Sequence, residues 1–130
     1  MSVYPAQSSD SPALLHALAQ VIFDKKGVNI LGLDVRNAST LTNYVLIAEG
    51  HVDQHVIAIG EALVKELEKQ GIRALCVEGL KAGDWVAIDI GDLIIHLFMP
   101  SMRDKYQLEQ LWQEGKIVDL DIATSQSRKS

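Results

Sequence analysis

Two apolar runs separated by Gly91-Asp92 constrain this chain more than any other feature in it. The first runs from Trp85 to Ile90 and the second from Leu93 to Met99. A Gly-first two-residue loop between such runs signals a β-hairpin of the II′ kind, because glycine takes the positive φ of the first loop position without strain. With Ile90 and Leu93 flanking the loop, geometry fixes the register. Trp85 then opposes Phe98, Val86 opposes Leu97, Ala87 opposes His96, Ile88 opposes Ile95, and Asp89 opposes Ile94. Alternation divides this ribbon into two unlike faces. Val86, Ile88, Ile90, Leu93, Ile95 and Leu97 make one, wholly aliphatic and bound for a core. Trp85, Ala87, Asp89, Ile94, His96 and Phe98 make the other. A face so mixed is either closed by a helix over satisfied polar groups or left open as a recognition surface.

The remaining elements follow in the order α-β-β-α-β-β-β-α. Ser11-Pro12 reads as an N-cap with proline at the first helical position, and Leu14, Leu18, Val21 and Ile22 recur at helical spacing until Gly27 closes the element. Val28 to Arg36 alternates Leu31, Leu33 and Val35 with Gly32, Asp34 and Arg36, which predicts a strand with one face toward water. Tyr44 to Ala48 is apolar throughout, as in a strand covered on both sides. Asp53 is placed to cap a second helix with Val56, Ile59, Leu63, Val64 and Leu67 on its inner stripe, closed by Gly71. Ala74 to Val77 reads as a short buried strand. Pro100 stops the last strand, and Ser101 with Asp104 resembles a capping box opening a terminal helix. The strand-helix-strand segment from Tyr44 to Val77 predicts a parallel pair by the right-handed crossover rule, and the hairpins add antiparallel ones. The expected fold class is therefore α/β, a mixed five-stranded sheet flanked by helices. Residues 1–10 are expected to be flexible, 11–112 to form a single domain, and 113–130, where the pattern fades, to be a polar flexible tail.

A length of 130 residues suits one domain. Its 12 basic and 17 acidic side chains leave a net charge of −5, which argues against broad contact with nucleic-acid phosphates. Docking onto the protein part of a ribonucleoprotein stays open. The lone Cys76 has no internal disulfide partner, which fits a reducing compartment, and its place in an apolar run reads as a small core hydrophobe. Neither a leader peptide nor an apolar 18-mer is seen, so the expected localisation is cytoplasmic with no membrane contact.

No catalytic pattern stands out. His51 and His55 lie four apart at a helix entry and could share a metal, but a third ligand at workable spacing is missing, so no metal or cofactor is expected. Asp89, Asp92 and His96 could do acid-base work, yet Asp92 suits a turn, and Asp89 with His96 equally describes a structural pair. The loop Glu78-Gly79-Leu80-Lys81-Ala82-Gly83-Asp84 has no phosphate-loop spacing, and no nucleophile elbow occurs. Recognition is better supported. Trp85 follows a glycine-containing loop, Arg103 and Tyr106 share a helical face, and Trp, Tyr and Arg dominate binding hot spots. The candidate partner-binding set is Glu78, Asp84, Trp85, His96, Phe98, Met99, Arg103, Tyr106 and Glu109. The plainer alternatives are core filling for Trp85 and helix docking for Tyr106 and Trp112.

These residues also resemble the ribosomal silencing factor family, called RsfS or Iojap, over about Lys26 to Trp112. The matching pieces are Leu33-Asp34-Val35, Tyr44-Val45-Leu46-Ile47-Ala48, Glu78-Gly79, Asp84-Trp85, Asp89-Ile90-Gly91-Asp92, His96-Leu97-Phe98, Arg103, Tyr106, and Leu108-Glu109-Gln110-Leu111-Trp112. The resemblance implies a nucleotidyltransferase-like α/β fold without that chemistry, and a homodimer. It also implies binding to the large ribosomal subunit at ribosomal protein fourteen with little nucleic-acid contact, blocked joining of the small subunit, and repressed translation when nutrients are scarce. The alternatives are a nucleotidyltransferase-like enzyme, or an assembly factor for the large subunit. The enzyme alternative needs a Gly-Ser followed by a paired Asp-x-Asp or Asp-x-Glu. The chain has no Gly-Ser, and its Asp119-Leu120-Asp121 falls in the tail. Two departures from the family pattern are Asn43, where aspartate is common, and His51-Val52-Asp53-Gln54-His55, which replaces a segment rich in Ser and Arg.

Overall fold

The hairpin forms in the register its Gly-Asp loop dictates. In the computed structural model, which describes residues 11–36, 42–102, 116–118 and 120, strands β4 (Trp85–Asp89) and β5 (Leu93–Phe98) pair antiparallel. All five expected pairs occur, from Trp85 opposite Phe98 to Asp89 opposite Ile94. Gly91 takes φ +93°, Ile90 N–H donates to the Leu93 carbonyl at 3.0 Å, and the Asp89 carboxylate accepts the Gly91 N–H at 2.8 Å. The turn is held from outside as well. The Asp92 carbonyl accepts the N–H groups of Asn43 and Tyr44, and the Thr42 hydroxyl donates to the Gly91 carbonyl.

The other elements are α1 (Ser11–Asp24), β1 (Val28–Asp34), β2 (Tyr44–Glu49), α2 (Asp53–Lys69), β3 (Cys76–Glu78) and β6 (Lys116–Val118). The strands form one mixed sheet in the order β3-β4-β5-β2-β1-β6. Among the described residues it has six strands rather than the expected five. The sixth comes from the stretch whose pattern fades in the sequence, and it pairs antiparallel with β1. A three-residue edge strand with exposed Lys116 and Ile117 carries no readable alternation, which explains the miss.

The parallel pair is β2 with β5, not β2 with the strand after α2. β3 runs in the same direction as β2 but lies beyond β5 and β4, because β3, β4 and β5 form an antiparallel meander. The step from β2 to β3 is therefore three strand spacings of about 4.8 Å, wider than a helix about 10 Å across, and α2 with the segment after it bridges it. As edge strand, β3 is also not buried. Cys76 and Glu78 are exposed, and Leu75 just before it is 71% exposed. Cys76 is therefore a surface thiol and not core packing. Desolvation, then the Glu78 and Asp89 carboxylates, raise its pKa above the ordinary thiol value, which suppresses the reactive thiolate.

Several local readings shift by a residue. At the end of α1 the left-handed position is Lys26 (φ +69°), and Gly27 follows it, donating to the Ile22 carbonyl in a Schellman arrangement. The α2 end matches expectation, with Gly71 left-handed and Ile72 N–H on the Leu67 carbonyl. Val52, not Asp53, is the N-cap of α2, with no side-chain cap bond; Asp53 lies in the first turn, where the helix dipole favours a carboxylate. Pro100 opens the helical turn after β5, one residue before Ser101.

Both sheet faces carry apolar clusters. On one, α1 and α2 cover Leu46, Ala48, Val86, Ile88, Ile95 and Leu97 with Leu15, Leu18, Ile22, Val56, Ile59, Leu63 and Leu67. On the other, Leu33, Val35, Val45, Ile47 and Phe98 form a second cluster, with Leu31, Trp85 and Met102 partly buried against it. β2 is buried along its whole length, as its unbroken apolar run requires. The Gly32 side of β1 does not face water: a Cβ there would lie 2.6 Å from Leu120 and 3.6 Å from Leu15. Among the described residues, no helix is long and apolar enough to cross a membrane.

Candidate functional site

The mixed face of the hairpin is covered at one end and open at the other. Register extends it across the sheet: Cys76 lies beside Asp89, Glu78 beside Ala87, and on the far side Val45 and Ile47 lie beside Ile94 and His96. Toward β1 and β2 the face is closed, since Val45, Ile47 and Phe98 are fully buried. Toward β3 it opens. Trp85, Ala87, Asp89, Ile94 and His96 are half-buried, while Cys76 and Glu78 are exposed.

Trp85 stands where the two regimes meet, and the loop before it sets its place. Gly79 (φ +89°) packs so closely on the Trp85 carbonyl that a Cβ would collide with it. Gly83 (φ +77°) donates to the Gly79 carbonyl at 3.0 Å and lies against Asp53 and Ile57, which ties the loop to the start of α2. Leu80 reaches inward to fill the space above Gly60. The Asp84 carboxylate accepts the Trp85 N–H at 2.9 Å, and the Asp84 carbonyl accepts the Met99 N–H at 3.1 Å, which extends the ladder by one rung.

Two of the contacts of the Trp85 side chain are with the neighbouring strand. Its ring packs on Phe98 directly across the ladder, with centroids 5.1 Å apart, and its Nε1 donates to His96 Nδ1 at 3.1 Å. An indole N–H can only donate, so Nδ1 must be the unprotonated nitrogen and the neutral imidazole carries its proton on Nε2. Burial pushes the His96 pKa down to about 4, which keeps the ring neutral at pH 7. Glu78, next to Ala87 in the register, and Asp84, whose carboxylate takes the Trp85 N–H, are both exposed.

The candidate residues are only partly gathered by this arrangement. Glu78, Trp85 and His96 share the open face by register, while Asp84 is exposed next to Trp85 in the chain and lies across from Met99. Phe98 is on the same face but fully buried, so it backs Trp85 from beneath. Met99 packs against the helix-side core instead. Arg103, Tyr106 and Glu109 lie outside the described residues, as does Trp112. Asp89, Ile94 and Cys76 join the face without having been in the candidate set, and the β3–β4 register that brings Cys76 there has no signal as strong as the Gly-Asp loop.

The chemical alternatives lose their geometry. Asp89 is committed to the hairpin turn and His96 to Trp85, so the two do not form an acid-base pair. His55 has both ring nitrogens engaged, Nδ1 accepting the His51 N–H at 2.9 Å and Nε2 lying 2.7 Å from the Lys25 carbonyl. That ring ties the start of α2 to the end of α1 and offers no lone pair to a metal. No group of three metal-capable side chains occurs among the described residues.

A family model described as "Ribosomal silencing factor during starvation" matches residues 8–130. The ribosomal silencing factor RsfS of Bacillus subtilis is 33% identical over 88% of this chain and 97% of its own length. The mouse protein named "Mitochondrial assembly of ribosomal large subunit protein 1" is 29% identical over 83% of this chain, which spans about half of the mouse protein. Among solved structures, a protein from Chromobacterium violaceum superposes with a TM-score of 0.73 at 28% identity, covering 88% of this chain and 95% of that one. A second, from Bacillus halodurans, gives 0.70 at 34% identity over 79% and 94%. A mixed sheet with helices, shared with those structures, and a family match over nearly its whole length lead to one conclusion: the chain belongs to the RsfS family of ribosomal silencing factors.

Proposed function

We propose that this chain is a binding protein that docks the open half of the mixed face on the large ribosomal subunit, at ribosomal protein fourteen, and so keeps the small subunit from joining. Translation is thereby repressed when nutrients are scarce. The observation that carries the surface assignment is Trp85, half-buried at the border of a closed apolar cluster and held there by His96 and Phe98. A large aromatic, pre-ordered and partly accessible, is the usual anchor of a hot spot. Glu78 and Asp84 beside it, in a chain of net charge −5, suit a basic ribosomal protein better than they suit RNA phosphates. Arg103, Tyr106 and Glu109 extend the proposed contact set along the sequence, and Met99 belongs to it only as support at the strand end. The reading includes a cytoplasmic homodimer with a nucleotidyltransferase-like fold, no catalytic site and no cofactor.

Cosedimentation tests it. The chain should travel with isolated large subunits but not with small subunits or joined ribosomes. Trp85→Ala should weaken that binding by on the order of 2 kcal/mol while the melting temperature falls little. Binding unchanged by this substitution would remove Trp85 from the interface.

A second reading rests on the mouse relative, whose name assigns it to assembly of the ribosomal large subunit. The same face would then hold a large-subunit precursor. Cells lacking the chain would accumulate large-subunit precursors under that reading, and would show normal precursors but unregulated subunit joining under the first.

A further inference from the structure

We infer that His96 is a positioning residue: its unprotonated Nδ1 takes the Trp85 indole N–H and so holds the ring in the orientation that a partner meets. This rests on the proposed role of Trp85 in partner binding and gives His96 a part distinct from contact.

The ladder explains why these two side chains meet although they are not directly opposed. Trp85 is paired with Phe98, and His96 with Ala87. Diagonal neighbours on an antiparallel ladder are within reach of long or aromatic side chains. Ala87 is small, so the space across from His96 is empty enough for the imidazole to lean toward Trp85. The resulting bond is 3.1 Å long, with centroids 5.9 Å apart and rings inclined at 50°. Such a tilt suits an in-plane N–H meeting an in-plane lone pair, not a face-to-face stack. Phe98 completes the set, 5.1 Å from Trp85 and 6.1 Å from His96, and it is fully buried in one cluster with Leu33, Val45 and Ile47.

The two contacts do different jobs. Packing on Phe98 is non-directional and would tolerate rotation of the indole about its χ angles. A hydrogen bond to one atom does not. Without it, the N–H would turn toward water and take the ring with it, because a half-buried donor is costly to leave unmet. The bond also requires a neutral imidazole, and burial, which pushes the His96 pKa down to about 4, favours one at neutral pH. His96 thus supplies a fixed acceptor, and the order it imposes lowers the cost of binding.

The test uses the full chain and isolated large ribosomal subunits. His96→Leu removes the acceptor at similar volume. His96→Asn keeps an oxygen acceptor close to the position of Nδ1. Trp85→Phe keeps the stack and removes the donor. In the free protein, the Trp85 indole ¹H–¹⁵N resonance, assigned by its absence in Trp85→Phe, should move upfield in His96→Leu and stay near its place in His96→Asn. Affinity should fall about threefold to tenfold in His96→Leu and recover in His96→Asn, the span expected for one neutral hydrogen bond. In a Trp85→Phe background, the same His96→Leu change should cost less than about twofold, since the two residues act as one unit. Equal losses in both backgrounds would overturn the inference and make His96 a contact in its own right. An indole resonance unmoved by His96→Leu would overturn it too. If His96→Leu melts before it can be studied, the Asn variant still decides: a displaced indole resonance there, with the fold intact, counts against the inference. Should the unmodified chain fail to bind large subunits, the partner reading fails while the resonance still tests the positioning.

Discussion

On the helix side of the sheet, Val86, Ile88, Ile95 and Leu97 are all fully buried; the residues that alternate with them run from buried Phe98 to half-buried Trp85, Ala87, Asp89, Ile94 and His96. The same two strands carry both sets, so propensity and ladder hydrogen bonds are shared. What differs is the cover. α1 and α2 close the first face with a continuous aliphatic layer. On the second, among the described residues, the apolar cluster runs from β1 to Phe98 with Trp85 and Met102 at its margin, and beyond it Asp89 takes the turn N–H and His96 takes the indole. A face can therefore be left partly open without stranding buried polar atoms. The lesson concerns division of labour: one side of the ribbon supplies stability, which leaves the other free for the recognition role proposed for it.

The sharpest way to break this comparison is at Ile88, opposite Ile95 in the helix-side core. Ile88→Ala should cost roughly 2–5 kcal/mol in chemical denaturation, the sum of lost transfer energy and a cavity in a packed layer. A loss below about 1 kcal/mol would mean that the core side is as tolerant as the open side. Gly79 comes next. Gly79→Ala puts a Cβ onto the Trp85 carbonyl at positive φ, which should cost on the order of 1–3 kcal/mol and displace Trp85. Tryptophan emission measured beside the melt separates the two effects, since a purely energetic defect leaves the spectrum of the folded state unchanged.

A third prediction concerns pH and belongs to the open face. Unfolded, the His96 imidazole titrates near its ordinary 6.5; folded, burial holds it at about 4. Above pH 6.5 both states are neutral and the full contribution is present. Between there and about pH 4 only the unfolded chain takes up the proton, so stability declines as pH falls and the contribution is gone below about 4. Melts from pH 7.5 to 4 should show this decline, and His96→Asn should flatten the part of it that belongs to His96. Identical pH profiles for the two proteins would show that His96 titrates normally in the folded state.

How much of this was legible beforehand follows from how local each signal is. The hairpin register depends on two loop residues and the alternation beside them, so all five pairs were readable. The continuous run of β2 likewise gave away a strand buried on both faces. Signals that depend on distant neighbours were not readable. β3 looks like a core strand by composition, and only its edge position exposes Leu75 and Cys76. β6 is too short to alternate, and the partner of β2 is set by a meander whose folding no single segment encodes. At the site, the cross-strand pairing of Trp85 with Phe98 was legible, but the indole bond to His96 was not. That bond depends on Ala87 leaving room for a diagonal contact, and on burial keeping an imidazole neutral.

The smallest expected effect lies at the rim. Glu78 is exposed at the end of β3, on the open face beside Ala87, and makes no contribution to either apolar cluster. Reversing its charge should leave the unfolding free energy within about 0.5 kcal/mol of the original, as for most surface substitutions. If the proposed partner is a basic ribosomal protein, an exposed carboxylate acts mainly by steering the encounter, and salt screens it over about 8–10 Å at 0.1–0.15 M ionic strength. Glu78→Lys should therefore slow association with large subunits at low salt, change dissociation little, and lose its effect as salt rises. Stopped-flow association at two ionic strengths reads this directly. A slowed association that persists at high salt, or a faster dissociation, would place Glu78 inside the contact and not at its margin. The open region would then extend across β3 to the sheet edge, and the boundary between the stabilising and the recognising parts of the fold would lie one strand further out.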